Sequence, residues 1–584
     1  MIFSRFFRLK SYETLAFIPI FSVLVSTQLI YYLSLVLSYS RLTILVSFFI
    51  LAVVYALVNS RKKEACYLKN FLKTKQLNKA TLLIFLLIFT LALIILYRSI
   101  WFGNENGIVI TGSNWQDTPL HYEIIESINN GNFPPQMPYY SGEQMNYHYF
   151  VDFHTAILEK VYGFLPKLLP ISNAIFILIF AFSIYSLARG NGERAAAFSL
   201  IIATFGWGFS YIILFSGLTS GQFNPLLNYS YQYDEFFGLP PIFDNLLQQR
   251  PLLIGLPAFA LVLTLLRNME DRNRILLAGI VTGLLFPFHA ISFVCVYVAY
   301  FISIVLNLKN FKKYYLYFLV SAIIALPSII SRAPSVPFSL APLWAFQFIE
   351  GNPILYYIMN LGIPFLIALA LILTKVEGKL LKIVFVSLFL VPNLVSITPN
   401  PWDMYKFFTF AWIPIAILSG AALAKIRRSI ALTLLLLSIL ASSSVIVYNL
   451  STNRTAANWD EYNLGMWVRD NTEERAVFLA YSHSIHCPPT MIGGRLRVSS
   501  YINWPYGHGI PLGDIWERVN DVDRAYSGSE DDLREVVETY NVTYIYVGGE
   551  ELKNYPGCVA KFDSIEWLTL VYNGRLRIYK IVFQ

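Results

Sequence analysis

Asp117 and His121 stand four positions apart in the sequence, and the side chains of both can act in acid–base catalysis. Pro119 suits the first turn of a helix, with Asp117 or Thr118 as its cap. Side chains four apart on a helix face the same side, so both could reach one substrate. The carboxylate could then take a proton from an acceptor hydroxyl, or the two residues could bind a divalent cation such as Mg²⁺ or Mn²⁺. The alternative is that Asp117 only caps the helix.

The predicted helix has one apolar face and ends near Gly131. That face is formed by Leu120, Ile124, Ile125 and Ile128. The pattern predicts an amphipathic helix that lies on the outer membrane surface. Three other acids, Glu123, Asp234 and Asp244, are the alternative bases if Asp117 is not the catalytic one.

Three further candidates are basic residues near predicted outer ends of apolar segments. Arg250 and Lys406 could each hold a phosphate group, with Asp403 as a partner of Lys406. Interfacial anchoring or snorkelling is the alternative for both residues. His289 follows Phe286-Pro-Phe and could contribute to binding, or could simply pack.

An aromatic segment follows the first predicted helix and contains Tyr147 and His148. Its neighbours Asp152 and His154 could suggest a metal site with His148. However, His154 does not share a helical face with the other two, and the spacing is not that of a zinc site. A Gly-rich phosphate loop between a strand and a helix is not found in the sequence, which argues against a soluble nucleotide-sugar mechanism.

The run Phe133-Pro-Pro, then Pro138, Gly142 and Asn146-Tyr-His-Tyr-Phe resembles the pattern FPP…P…G…NYxYF of a prokaryotic membrane family, the archaeal and chloroflexal YYY-type family. Here His148 replaces the middle tyrosine. That family looks like a branch of the GT-C glycosyltransferases. The resemblance implies a multispan enzyme that takes a sugar from a polyprenyl phosphate or diphosphate.

The same resemblance implies roles for several of the candidates. In GT-C enzymes an acid in the first large exterior loop is catalytic or binds metal, and Asp117 matches that position. The stretch from Pro399 to Phe408 resembles a loop in which a basic residue, here Lys406, meets the carrier phosphate. Five residues are accordingly predicted to bind the donor: Arg250, Lys406, His289, Tyr147 and His148.

The elements that must position these residues are mostly apolar segments. Hydrophobic residues make up 56% of the chain and charged residues 14%, against roughly 25% charged in soluble domains. The net charge of +8 therefore does not indicate nucleic-acid binding. About thirteen membrane spans are predicted, at residues 15–38, 42–58, 81–97, 173–188, 196–216, 251–266, 275–289, 290–308, 314–331, 353–374, 380–397, 406–424 and 429–449.

The basic residues divide unequally between the two sides of these spans. Connections on one side hold 24 Lys and Arg, including the run from Arg61 to Lys79, and those on the other side hold 7. Cytoplasmic loops carry the excess of basic residues in membrane proteins. The pattern predicts a multi-pass cell-membrane protein with a cytoplasmic N-terminus and an extracytoplasmic C-terminal domain. Sequons at Asn228, Asn453 and Asn541 fall on the predicted exterior side.

The predicted fold is mainly α and polytopic, with three parts. Residues 1–80 are an N-terminal addition of two spans with a basic cytoplasmic loop. Residues 81–450 are a GT-C-like transmembrane domain with exterior loops 98–172 and 217–250. Residues 451–584 are an exterior soluble α/β domain, which could contain a Cys487–Cys558 disulfide.

Local patterns predict the elements of that last domain. We expect helices over Asp460–Arg469 and from a Ser529 cap to Tyr540, and strands over Ala476–Tyr481 and Thr543–Val547. A hairpin is expected at Asn573-Gly574, between strands Trp567–Tyr572 and Arg575–Val582. The domain resembles the C-terminal domains of archaeal membrane glycosyltransferases, including oligosaccharyltransferases. The sequence contains no Trp-Trp-Asp motif, which disfavours oligosaccharide transfer to protein asparagine.

The resemblance, together with the membrane pattern, therefore implies a membrane glycosyltransferase that transfers a hexose or pentose from a polyprenyl-phosphate or diphosphate carrier to a glycan, lipid or protein acceptor. Asp117 and His121 would be catalytic, with a divalent cation as a candidate cofactor. Membrane lipids are expected partners, and nucleic acid is not. The alternatives are a transporter or flippase, and a non-catalytic anchor for the exterior domain, for which thirteen spans are excessive.

Overall fold

The computed structural model describes residues 9–59, 78–230, 238–267, 270–332, 339–349, 351–374 and 378–583. Most of the basic run that begins at Arg61, together with Cys66 and Asp234, lies outside the described residues. Up to about residue 451 the described chain is a bundle of apolar helices. The remainder combines shorter helices with a β-sheet.

Long apolar sequences form the bundle because a helix satisfies its own backbone hydrogen bonds. Its helices are Ser11–Leu37, Arg41–Asn59, Lys79–Ser99, Leu168–Ala188, Glu193–Phe205, Tyr211–Ser220, Arg250–Leu266, Arg272–Leu285, Ala290–Leu306, Phe311–Arg332, Pro353–Ile372, Lys379–Leu390, Tyr405–Leu423, Arg428–Ile439 and Ala441–Ser451. Three helices, Asp117–Asn129, Phe150–Tyr162 and Ile242–Gln248, lie in the long connections.

Six of the helices in the described residues are long and apolar enough to cross a membrane. A seventh candidate is the bent pair Arg428–Ile439 and Ala441–Ser451, whose axes differ by 42°. Other predicted spans correspond to apolar helices of 10–17 residues, shorter than the roughly 20 residues that a hydrocarbon core of about 30 Å requires. The chain is a multi-pass membrane protein, but the predicted count of thirteen spans is not confirmed.

The predicted span 196–216 is not one helix, and this part of the prediction is wrong. Helix Glu193–Phe205 ends, and Tyr211–Ser220 begins after a break. The break packs against a second one at Gly362, where φ is +59° inside helix Pro353–Ile372. A Cβ on Gly208 would lie 1.9 Å from the Met359 carbonyl oxygen, so only glycine permits this approach.

The prediction that helix Asp117–Asn129 lies on the membrane surface is also wrong, because all residues from 118 to 128 are buried. Its polar face is covered by the C-terminal region. Glu123 pairs with Arg497 at 2.7 Å, and Glu126 with Arg469 at 2.8 Å. A carboxylate can be buried when an arginine neutralises it. The polar face of this helix therefore contacts arginines of the C-terminal region, where the amphipathic pattern had predicted contact with water.

The first helix, Ser11–Leu37, packs into the bundle rather than beside it. Thr27 contacts His154 at 3.1 Å, and Gln28 donates to the Leu284 carbonyl at 2.7 Å. Residues predicted to face the same side of the membrane also meet. Glu13 pairs with Arg274 at one end of the bundle.

The C-terminal region contains a five-stranded sheet in the order Leu496–Arg497, Val477–Leu479, Tyr544–Val547, Arg577–Ile581, Leu568–Tyr572. The first three strands are parallel, and Arg577–Ile581 pairs antiparallel with Tyr544–Val547 on one side and with Leu568–Tyr572 on the other. Its helices are Trp459–Asn471, Pro488–Met491, Asn503–Gly507, Leu512–Ser527, Glu530–Tyr540, Gly549–Asn554 and Cys558–Asp563. Ser529 caps Glu530–Tyr540 as predicted, and the expected hairpin strands pair.

Several strands connect distant parts of the chain. Phe102–Asn104 and Gly107–Val109 form a hairpin that pairs with Thr455–Asn458, which links the first long connection to the C-terminal region. Ser339–Leu340 pairs with Val395–Ser396. Trp504 and Ile515, from the C-terminal region, belong to the same hydrophobic core as the bundle helices. Cys487 and Cys558 are both buried free thiols.

Candidate active site

Asp117 is the first residue of helix Asp117–Asn129, but it does not cap that helix. Gln116 occupies the capping position, and this end has no side-chain capping bond. The Asp117 carboxylate instead accepts a hydrogen bond from the Gln249 side-chain amide. Burial raises the pKa of Asp117, while His121 and Lys406 act in the opposite direction. Asp117 is thus a carboxylate made more basic by its surroundings.

His121 is held by a chain of buried side chains that ends at Arg250. The His121 Nδ1 atom lies 3.0 Å from Asp152 Oδ2, and Arg250 Nε donates to Asp152 Oδ1 at 2.8 Å. Arg250 also donates to Asn173 at 2.7 Å and to Thr155 at 2.8 Å. Such partners fix the orientation of an imidazole and leave its second nitrogen, Nε2, for another group.

The predicted phosphate role of Arg250 does not match its position, because its side chain is 1% exposed and its three nitrogens all donate to protein groups. Arg250 begins helix Arg250–Leu266, as the sequence suggested. It faces Asp152 in the interior, where it compensates a buried carboxylate. A phosphate could reach this guanidinium only by displacing Asp152, so we assign Arg250 to positioning.

A cavity of about 320 Å³ lies near helix Asp117–Asn129: Asp117 and His121 do not line it, but the ring of His121 lies 6.3 Å from that of Tyr147, which does. One part of its lining is apolar and comes from the ends of the bundle helices: Phe286, Pro287, Ala290, Ile291, Phe293, Val294, Ile329 and Ile397. The other part is polar or charged and includes Asn146, Tyr147, His148, Asp403, Lys406 and His508. A molecule with an apolar tail and an anionic head would match the apolar and the polar parts of this lining.

Lys406 is the cation of the polar part. It lies in the first turn of helix Tyr405–Leu423, is 8% exposed, and pairs with Asp403 at 3.0 Å. Burial, the neighbouring His289 and Lys406 lower the pKa of His148, which keeps this imidazole neutral near pH 7. The Tyr147 ring lies 4.4 Å from that of His148. The predicted residues Lys406, His148 and Tyr147 therefore share one cavity.

His289 lies next to the cavity rather than in its lining. It precedes helix Ala290–Leu306, is 1% exposed, and its ring lies 4.8 Å from the ring of His148. Its Nδ1 atom bonds to the Ser292 hydroxyl. His289 therefore contacts a residue of the lining, and its binding role stays a prediction.

The predicted metal role of Asp117 and His121 can be compared with the side chains around them. Among the described residues, no group of three or more His, Cys, Asp or Glu side chains could hold a metal ion. His121 uses Nδ1 for Asp152, Asp117 accepts from Gln249, and His154 is occupied by Thr27. Asp117 and His121 therefore supply two metal-ligating atoms at most, and the reaction proposed for this protein uses no cation.

Sequence reasoning missed four contributors to the site. Gln249 stands directly before Arg250 but had no chemical signal of its own. Asp152 was considered only as a metal ligand. His508 and Tyr139 come from distant parts of the chain and bond to each other at 2.6 Å. Four of the seven histidines, at positions 121, 148, 289 and 508, gather here, which a count of rare residues in loops could have suggested.

The fold and the site together define a multi-pass membrane protein with an amphiphilic cavity next to a buried carboxylate. Neither a protein-family model nor a curated protein matches the sequence. Solved structures similar to this chain include those of two proteins. The Archaeoglobus fulgidus oligosaccharyltransferase AglB, in complex with an inhibitory peptide and a dolichol-phosphate, is 14% identical, with 81% of this chain and 70% of that chain covered and a TM-score of 0.42.

The second is ArnT from Cupriavidus metallidurans bound to undecaprenyl phosphate. It is 12% identical, with 85% of this chain and 97% of that chain covered and a TM-score of 0.48. Both of these proteins are membrane glycosyltransferases of the GT-C superfamily.

Proposed function

We propose that the protein is a membrane glycosyltransferase that moves a sugar from a polyprenyl phosphate or diphosphate to an acceptor hydroxyl. The observation that carries this proposal is the cavity, which joins an apolar wall to a buried lysine close to Asp117. A polyprenyl carrier has the same division, because its tail is hydrocarbon and its head is anionic. The carrier tail would lie along Phe286, Val294 and Ile329.

Lys406 would bind the phosphate at the polar end of the cavity. Its ammonium group has three donors and pairs with Asp403 through only one contact at 3.0 Å. Charge-assisted hydrogen bonds to phosphate are stronger than neutral ones, particularly where water is largely excluded. The same contact would stabilise the charge that develops on the leaving phosphate.

In the chemical step, the acceptor oxygen forms a bond to the anomeric carbon of the sugar. The bond from that carbon to the phosphate oxygen breaks, and its electrons remain on the phosphate. Asp117 takes the proton from the acceptor hydroxyl. Its raised pKa favours this transfer because a stronger base accepts the proton more readily.

His121 would assist through Nε2, by orienting the acceptor or the protonated Asp117. Asp152 fixes the ring at Nδ1, and Arg250 fixes Asp152. A group held within about 0.5 Å of its working position contributes more to rate than a mobile one. Arg250 and Asp152 are therefore positioning residues in this proposal.

The acceptor would approach from the extracytoplasmic side. The charge distribution of the loops supports an orientation with the N-terminus inside and Asn453 and Asn541 outside. The missing Trp-Trp-Asp motif favours a glycan or lipid acceptor over protein asparagine. We take residues 81–450 as the catalytic domain and 451–584 as its exterior partner.

Reconstitution of the purified full chain in liposomes tests the proposal. Polyprenyl phosphates that carry radiolabelled hexoses or pentoses are supplied with crude envelope acceptors. We expect label to leave the carrier only when acceptor is present, and the Asp117→Asn protein is the control. Movement of intact labelled carrier across the bilayer without loss of sugar would instead support the transporter alternative and contradict the proposal.

A further inference from the structure

The donor cavity is completed by a short segment of the C-terminal region. Gly507 and His508 line it together with Lys406 and Asp403. Gly507 ends the helix Asn503–Gly507 and His508 follows it, and Trp504 of this helix is buried in the core shared with the bundle. A Cβ on Gly507 would lie 4.0 Å from an Asp403 carboxylate oxygen, so the segment approaches the partner of Lys406 closely.

The His508 ring is fixed by Tyr139, which belongs to the first long connection and is completely buried. The Tyr139 hydroxyl lies 2.6 Å from His508 Nδ1 and 3.7 Å from the Met145 sulfur. Sulfur is a weak acceptor and the nitrogen is closer, so we assign the phenol as the donor to Nδ1. The Tyr147 ring, 4.3 Å away, restricts the imidazole further.

This bond determines the tautomer of His508. Burial, Lys406 and His121 lower the pKa of His508 to about 3, so the ring is neutral near pH 7. A neutral imidazole that accepts at Nδ1 carries its single proton on Nε2. His508 is partly exposed, and among its described hydrogen bonds only Nδ1 is used. The ring therefore has one N–H group free to bond a ligand in the cavity.

We propose that His508 donates its Nε2–H to the phosphate of the donor, with Tyr139 as the positioning residue that sets the tautomer. This inference rests on the proposed function, since it assigns a ligand to the same cavity. Lys406, which belongs to the bundle, supplies charge. His508, which belongs to the C-terminal region, supplies a directional hydrogen bond. The C-terminal region is then part of the donor site, so the bundle alone cannot bind the carrier fully.

Carrier binding by the full-length protein in nanodiscs tests this inference. The probe is undecaprenyl phosphate, compared with undecaprenol, which has the same tail and no phosphate. We expect His508→Ala to weaken binding of the phosphate lipid by about 10-fold or more, as for a hydrogen bond to a charged group, and to leave undecaprenol binding unchanged. His508→Gln should recover part of the affinity, because its amide can donate.

Two other variants show whether weaker binding comes from the lost hydrogen bond or from a change in the structure. Tyr139→Phe should weaken undecaprenyl phosphate binding by a smaller factor, about 3-fold, because Nδ1 can then take the proton. The matched control is His483→Ala, a partly buried histidine of the same region that contacts Tyr481 and Trp516 and does not line the cavity. It should bind as the wild type does. Elution volume and Tm report whether each variant is folded.

The outcomes distinguish this inference from the proposed function. Equal undecaprenyl phosphate affinity of the wild type and His508→Ala, in a protein that transfers sugar, would overturn the role of His508 and leave the function intact. A wild-type protein that binds both lipids equally would overturn the donor class itself. If His508→Ala does not fold, the comparison of His508→Gln with His483→Ala decides.

Discussion

Replacement of Asp117 by Asn removes the proposed base with little change in shape. The asparagine side chain keeps an oxygen that can accept from Gln249, so the observed hydrogen bond can persist. The carboxylate is destabilised by burial, as its raised pKa indicates, so a neutral amide should cost no more than about 1 kcal/mol of stability. The effect on function should be much larger.

General-base catalysis contributes about 100-fold to 10,000-fold to rate. At about 1.4 kcal/mol for each tenfold change, Asp117→Asn should raise the activation free energy by roughly 3 kcal/mol or more. The assay is sugar transfer at saturating carrier, with carrier affinity measured separately. We expect kcat to fall by at least about 100-fold while the affinity for undecaprenyl phosphate changes little.

Asp244→Asn is the matched control. Asp244 is a buried carboxylate that accepts hydrogen bonds from Ser113 and Gln248, and burial raises its pKa to about 6. Near-normal turnover by Asp117→Asn, combined with loss of turnover in Asp244→Asn, would refute the assignment of the base. An intact Asp244→Asn enzyme beside an inactive Asp117→Asn enzyme agrees with it.

Three further predictions concern the surroundings of the site. Lys406→Ala should raise the carrier concentration required for half-maximal transfer by about 10-fold to 100-fold, as titration with donor would measure, because a charged hydrogen bond to phosphate is lost. Arg250→Lys should lower kcat with little effect on that concentration, since lysine cannot hold Asp152 in the same way; an unchanged kcat would contradict the positioning role. Burial raises the pKa of Glu159 to about 10, so this acid is protonated in the folded state and ionised when unfolded between roughly pH 4.5 and 10. Stability should therefore fall as pH rises through that window, and Glu159→Gln should raise Tm more at pH 8 than at pH 5.

The pH dependence of transfer provides an additional check on the base. Asp117 must be ionised to accept a proton, so the rate should fall as pH decreases through its pKa. Because burial raises that pKa, the midpoint of the acid limb should lie above the value of about 4 that is usual for aspartate. A kcat/KM profile with its acid midpoint at or below pH 4 would contradict the proposed environment of Asp117.

Elements governed by local rules could be predicted from the sequence. Ser529 caps its helix because the serine and the acid three positions later bond to each other's backbone, a signal within four residues. The break after Phe205 could not be predicted, because it depends on contact between Gly208 and Met359, which are distant in sequence. Apolar composition alone favoured one continuous span there.

The candidate site could likewise be predicted only where a local sequence pattern indicated it. Helical spacing correctly related Asp117 to His121, and the motif around Tyr147 pointed to the residues that line the cavity. The phosphate role of Arg250 stays a prediction, because a lone basic residue at a span end resembles a phosphate ligand and only the fold shows that Arg250 pairs with Asp152. No local pattern connects His508 to the cavity that it lines.

The most direct test of the account uses a donor that is labelled differently in its phosphate and in its sugar. Attack at the anomeric carbon breaks the bond between sugar and phosphate oxygen. The account predicts that the sugar label moves to the acceptor while the phosphate label stays with the polyprenyl lipid, and that Asp117→Asn prevents the separation. Movement of both labels to the acceptor together would contradict it, because the reaction would then be transfer of a sugar phosphate.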